Sequence, residues 1–426
     1  MKQLLADRRI LAWAFYDWAN SAYATIVLAV FFPILFADHW YPGENSTTPL
    51  GYANAAASLL IVLAAPVLGA IADQGGWRKR FLLAFAGLGM TFTAALFFVA
   101  QGQWLLALAV YVLAGVGFAG ANVFYDALIV EVAPRERVDV VSALGYALGY
   151  LGGGLVLVLA LLLAAYPQWL GLDTAGAQRA AFLLTAGWWA LFTLPLMVWV
   201  KVRTPARPLQ PLAAAGAGLR QLAATFREVR RLRVVGLFLL AYWFYIDGVD
   251  TMVRMAIDYG KRLDFPNTHL ILALLVTQFV GFPAAIAYGH LGERLGARRG
   301  IFIAIGVYVA VTVWGVFMDR VWEFYVLAVA VGLVQGGIQS LSRSLYTRLI
   351  PRDKSAEFFG FYNVLGKLAA VLGPVLMAVV SQLTGSPRLS LLSIILLFAA
   401  GGLLLAFVDE AEGARAARAL EGGVAR

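Results

Sequence analysis

The chain has 426 residues, of which 62% are hydrophobic and only 13% charged, and its mean hydropathy is +0.79. Soluble domains carry roughly 25% charged residues, so a water-soluble fold is excluded and the formal charge of +9 has to be placed at the edges of an apolar slab. Cysteine is absent, which removes disulfides, thiolate metal sites and cysteine nucleophiles.

A spanning helix needs about 20 mostly apolar residues. Lipid offers no water to an open backbone, so each such run is read as a helix. The first, 10–37, follows Lys2, Arg8 and Arg9 and could pass for a secretion signal. It is too long for one, carries Asp17 and Asn20, and has no small-residue cleavage site before Asp38, so it is expected to be the first span. Runs at 50–72, 81–100, 104–131, 139–165 and 180–200 complete a set of six.

The stretch 201–233 is polar and basic and opens with Pro205, Pro208 and Pro211. Leu219, Leu222, Phe226 and Val229 recur at helical spacing with arginines on the other faces, which fits an amphipathic helix on the leaflet and equally a basic tether. Six further runs follow at 234–259, 267–290, 300–318, 322–349, 356–382 and 389–408.

The fold expected is an all-α membrane protein with twelve transmembrane helices in two pseudo-symmetric six-helix bundles. Its parts are 1–200, a linker at 201–233, a second bundle at 234–410 and a cytoplasmic tail at 411–426. With both termini inside, roughly 25 Lys and Arg fall on the cytoplasmic face and about 5 on the other, the positive-inside pattern. Both termini are therefore expected in the cytoplasm, with the chain in the cell's inner (plasma) membrane.

The halves repeat one another. Gly69-x-x-x-Asp73-Gln74-Gly75-Gly76-Trp77-Arg78-Lys79 follows the second span, and Gly289-x-x-x-Glu293-Arg294-Leu295-Gly296-Ala297-Arg298-Arg299 follows the eighth. Gly115, Gly120, Asn122, Asp126, Glu131 and Pro134 line up in the same way with Gly332, Gly337, Gln339, Arg343, Arg348 and Pro351. Two parallel repeats are the reading.

These motifs resemble the major facilitator superfamily, whose loop between the second and third helices of each half reads Gly-x-x-x-Asp-Arg-x-Gly-Arg-Arg. The resemblance implies that the acid pairs with the basic cluster and latches a cytoplasmic gate, here Asp73 with Arg78 and Glu293 with Arg298. Gln74 and Trp77 stand where bases are expected. Within the superfamily, Trp13 to Thr25, Phe124 to Ala127, Leu148 to Gly154 and Gly336 to Ser344 resemble the vacuole-effluxer-like group, which implies an amino-acid-like substrate. The superfamily's expectation is a monomer in which the first, fourth, seventh and tenth helices line a central cavity.

Charges in hydrocarbon are costly and mark function by default. Six of them, Asp17, Asp126, Asp247, Asp250, Arg254 and Arg343, fall on those four helices, and Lys367 falls on the eleventh. Asp17 lies among Tyr16, Trp18 and Asn20, suited to substrate or proton contact or to a bond with a neighbouring helix. Asp247 is expected either to carry a proton or to pair with a base such as Lys367. Asp250 and Arg254, four residues apart, form a local ion pair or join the site. Asp126 and Arg343 are equivalent in the two repeats and opposite in charge, so pairing across the halves or within each is open. Tyr242, Trp243 and Tyr245 line a solute site or pack against neighbouring helices.

Gly115-x-Gly117-x-x-Gly120 matches a dinucleotide fingerprint but lies inside a span with no strand before it, so close helix packing is expected. His39, His269 and His290 have no ligand spacing. The reading is a secondary transporter of a small organic solute, amino acids or another solute, by alternating access with protons as the coupling ion. A facilitator, an exchanger and a receptor-like binder are the alternatives. A small-molecule substrate, the bilayer and protons are the expected partners; no nucleic acid, metal, cofactor or enzymatic reaction is expected.

Overall fold

The computed structural model describes residues 6–42, 47–202, 216, 217, 220 and 232–423. Every regular element among them is helical, and twelve are long and apolar enough to cross a membrane. They are α1 (Arg8–Trp40), α2 (Thr48–Gly75), α3 (Arg78–Phe98), α4 (Trp104–Val132), α5 (Arg135–Ala165), α6 (Thr174–Trp199), α7 (Arg233–Lys261), α8 (Thr268–Leu295), α9 (Ala297–Phe317), α10 (Val321–Leu349), α11 (Arg352–Thr384) and α12 (Arg388–Ala406). A short thirteenth, α13, covers Glu410–Gly423. The residues that would form an amphipathic linker helix, Leu219, Leu222, Phe226 and Val229, lie outside the described residues.

The helices start where side chains supply what the free amides of a first turn lack. Asp7 accepts from the Arg9 amide before α1 at 2.9 Å, and Asp173 accepts from the Gly176 amide in α6 at 2.8 Å. Asp409 accepts from the Ala411 and Glu412 amides at 2.9 and 3.0 Å before α13. The Glu412 amide, ahead of the Ala411 amide, holds the Asp409 carboxyl below the usual carboxylate range.

The repeated motif has a backbone reason. Gly76, between α2 and α3, has φ +65°, and Gly296, between α8 and α9, has φ +87°. Both occupy the left-handed region that costs other residues strain. In each half the chain reverses at the same glycine of the motif.

The chain forms two compact units, one of Met1–Val132 with Leu148–Leu219 and one of Ala133–Ala147 with Arg220–Arg426. The sequence halves and these units differ in one place: the turn before α5 and its first three turns pack with the second set of helices.

In the first unit, small residues let α3 and α4 cross closely. A Cβ on Gly117 would strike the backbone of Gly89, and one on Gly120 would strike the Phe85 ring. Gly117 and Gly120 of the glycine motif therefore form a packing seam between α3 and α4. Aromatics fill the unit above and below it, with Tyr23 stacked on Phe118 at 4.7 Å and Phe32 on Tyr111 at 4.0 Å.

Helix α1 departs from ordinary winding. Tyr23–Phe31 and Phe36–Trp40 adopt the wider turns of a π-helix, with Pro33 between them. Such turns are rare and concentrate at functional sites.

In the second unit a Cβ on Gly401 would meet the Tyr245 amide at 2.7 Å, which sets α12 tightly against α7. A row of tyrosines runs through the unit's interior. Tyr242 stacks on Tyr362 at 4.2 Å, and Tyr362 stacks on Tyr346 at 5.0 Å.

Candidate functional site

Each of the two units holds charged residues read from the sequence. In the first unit one group comes from α1 and α4. Tyr125 donates its hydroxyl to Asp17 Oδ2 at 2.8 Å, and Asn20 Nδ2 donates to Asn122 Oδ1 at 2.5 Å. Trp13 stacks on Tyr125 at 4.6 Å and donates its indole N–H to the Tyr125 carbonyl at 3.0 Å. Tyr16 is fully buried, its ring 5.0 Å from that of Tyr125.

Asp17 itself is only half-buried. A half-buried aspartate oriented by a phenol, with the stacked rings of Trp13 and Tyr125 beside it, can take a cation through its charge. Close to Asp17, α5 fits only because it carries glycine: a Cβ on Gly149 would come 2.6 Å from Ser21 Oγ, and one on Gly152 would come 2.6 Å from the Trp18 carbonyl. Tyr16, Asp17 and Asn20 lie close together on α1. The sequence does not reveal Tyr125 and Asn122 as their partners, although both sit beside Asp126 in a motif that repeats between the halves.

In the second unit Asp247 has a role the sequence does not suggest. Its two carboxylate oxygens accept from the backbone amides of Leu372 and Gly373 at 3.0 and 2.9 Å and from Thr251 Oγ1 at 3.1 Å. Pro374 follows directly inside α11, where a proline disrupts the ladder before it. A Cβ on Gly373 would strike Thr251 and lie 2.8 Å from Asp247 Oδ1. Asp247 therefore positions α11 at its proline break. Lys367, half-buried one to two turns earlier in α11, instead lies within electrostatic reach of Asp250 and Arg254. Among the described residues, Asp250, Arg254 and Lys367 therefore lie near one another, with no direct Asp250–Arg254 ion pair of the kind the spacing offered. Tyr245, fully buried, shares a hydrogen bond with Ser342 at 2.7 Å, which makes it a link between α7 and α10.

Arg343 is 1% exposed. It donates from Nε to Ser142 Oγ and from Nη2 to the Ser142 carbonyl, each at 2.9 Å, and its guanidinium lies 4.3 Å from the Tyr146 ring centre. The next residue, Ser344, donates to Asp139 at 2.5 Å, and Asp139 pairs with Arg348. Ser142, Tyr146 and Asp139 all come from the α5 segment that packs in the second unit. The counterpart residue, Asp126, is buried in the first unit.

The two copies of the loop motif are wired differently. Asp73 and Glu131 enclose Arg78 at 2.5 and 3.0 Å, as expected for Asp73, with Glu131 added. Lys79 caps the end of α6 through the carbonyls of Met197 and Val200, both at 2.7 Å. In the second copy the expected Glu293 pair with Arg298 does not form. Arg298 instead donates to the Val408 carbonyl just past α12 at 2.7 Å, and Glu293 faces Arg137 at 3.6 Å. The physical reason lies in the α5 segment: a Cβ on Gly289 would meet Ala143 at 2.6 Å, so that segment lies against α8 and brings Arg137 to the acid. Among the described residues no group of His, Cys, Asp and Glu is placed to hold a metal ion.

Residues 44–137 and 131–418 match the family described as "Vacuole effluxer Atg22 like". The chain is 40% identical over 405 residues to the uncharacterised MFS-type transporter YxiO of Bacillus subtilis (strain 168), covering 94% of each. It is 29% identical over 339 residues to autophagy-related protein 22 of Yarrowia lipolytica, covering 72% of this chain and 56% of that one. In structure it superposes on the proton:xylose symporter XylE with a TM-score of 0.71 at 15% identity, over 97% of this chain and 98% of that one. Twelve spans, a duplicated loop motif with its turn glycine at positive φ, and these likenesses agree: the chain is an integral membrane transporter of the major facilitator superfamily and belongs to the Atg22-like vacuole-effluxer family.

Proposed function

We propose that the chain is a proton-coupled secondary transporter of small solutes bearing an ammonium group, amino acids in the first place. It works as a monomer in the cell's plasma membrane with both termini in the cytoplasm, and its two units expose the solute to each side in turn. One observation carries the substrate class: the half-buried Asp17, oriented by Tyr125 beside the stacked rings of Trp13 and Tyr125. The same features suit an ammonium ion and leave a sugar without a charged partner.

Asp17 is also the favoured proton carrier, because it is half-buried where Asp247 is not exposed at all. Asp247 is fully buried and spends both oxygens on the backbone of α11. The superposition on a proton symporter supports coupling only through the shared fold.

The test is uptake of a labelled amino-acid panel into proteoliposomes across an imposed pH gradient, with Asp17→Asn and Asp247→Asn beside the parent protein. Gradient-stimulated uptake that Asp17→Asn uncouples, while Asp247→Asn stays coupled at a reduced level of folded protein, is the expected result. If the double variant keeps the parent's pH dependence, proton coupling through these carboxylates is wrong.

A further inference from the structure

Helix α13 is placed where the sequence suggests only a tail, and its face is built for reversible attachment. Glu410, Gly413, Ala417 and Glu421 are spaced three, four and four residues apart, so they form one stripe along the helix. The middle of the stripe is small and buried: Ala417 is 2% exposed, and a Cβ on Gly413 would strike Leu349 and lie 3.0 Å from Val234. Gly and Ala bury little apolar surface, so the hydrophobic gain of docking is small.

The charged ends of the stripe make the specific contacts. Glu410 pairs with Arg348 at 2.6 Å. Glu421 pairs with Arg135 at 2.6 Å and accepts from the Arg352 backbone amide at 2.9 Å. Both acids thereby reach the one segment, Ala133–Ala147, that packs with the second unit while the chain on either side packs with the first. Glu421 reaches the segment directly at Arg135, and Glu410 reaches it at Asp139 through Arg348, which binds both acids.

We propose that α13 is a releasable strap. It fastens the Ala133–Ala147 segment to the second unit, and its detachment lets that segment part from α8 and α10 and uncovers the layer around Ser142, Ser340 and Arg343. Partly exposed ion pairs are weak and screened by salt, which is what a fastening that opens and closes in each cycle needs. A permanent joint would have used large apolar side chains along the stripe.

The native chain has no cysteine, so a single introduced thiol reports opening without knowledge of the substrate. Val140, 3% exposed on the fastened segment, is replaced by Cys, and its labelling by a small maleimide is followed in detergent micelles. The strap is removed in two ways, by Glu410→Gln with Glu421→Gln and by truncation after Asp409. Ala114→Cys in the buried core of the first unit is the control for global unfolding. Labelling at position 140 should be about tenfold faster in both strapless forms and should rise with salt in the parent. The control should not change, and Arg135→Glu combined with Glu421→Arg should restore protection. Unchanged labelling in the Gln variant, or equal acceleration at position 114, would overturn the strap.

Discussion

Gly373 shows at a single residue how much of this molecule is decided by backbone contacts. It lets the Asp247 carboxylate reach the amides of α11 just before Pro374, and a methyl there would strike Thr251. Gly373→Ala is therefore expected to cost about 1–3 kcal/mol, the range for overpacking a filled site. Gly306, also inside a helix, has open space where a Cβ would go. Gly306→Ala should instead gain roughly 0.4–1 kcal/mol by restricting the unfolded chain. Thermal unfolding of the two purified variants, read as opposite shifts in Tm, checks both signs together. The pairing of Asp73 with Arg78 was legible because both partners lie in one motif. The partners of Asp247 were not, since backbone amides leave no side-chain signature; only the Gly373-Pro374 pair hinted at a break. Glu293 misled for a related reason, because its partner Arg137 is supplied by a segment distant in sequence that lies against α8.

The twelve spans were readable among the elements because hydrocarbon leaves helices as the one economical choice and length fixes their number. The turn between α2 and α3 and the one between α8 and α9 were readable as a repeat. Their cause is the positive φ of Gly76 and Gly296. Replacing either by Ala should cost about 1–2 kcal/mol with similar falls in Tm, since both hold a positive φ. A large difference between the two would show that the repeats do not share this constraint. Two elements escaped the sequence reading. The π-helical turns of α1 carry no compositional signal beyond Pro33. Helix α13 did carry one, the stripe from Glu410 to Glu421, but it is too polar for any search based on hydropathy.

At the scale of the whole molecule, two homologous halves were apparent from motif spacing. The partition of contacts was not, because the Ala133–Ala147 segment belongs to the first half of the sequence and to the second unit of the structure. Periodicity cannot reveal such an exchange: the segment looks like the start of any span, and Asp139, Ser142 and Tyr146 acquire meaning only beside Arg343 and Arg348. Facilitator folds carry unrelated solutes, so the proposed substrate class rests on Asp17 and the residues around it alone. The most direct measurement is counterflow in proteoliposomes preloaded with unlabelled amino acid, with no ion gradient, comparing the parent with Asp17→Asn. Transient accumulation of labelled amino acid by the parent, absent for the matching carboxylic acid that lacks the ammonium group and lost in Asp17→Asn, is the predicted result. Counterflow that ignores the ammonium group and survives Asp17→Asn, or no exchange at all by folded protein, would contradict it.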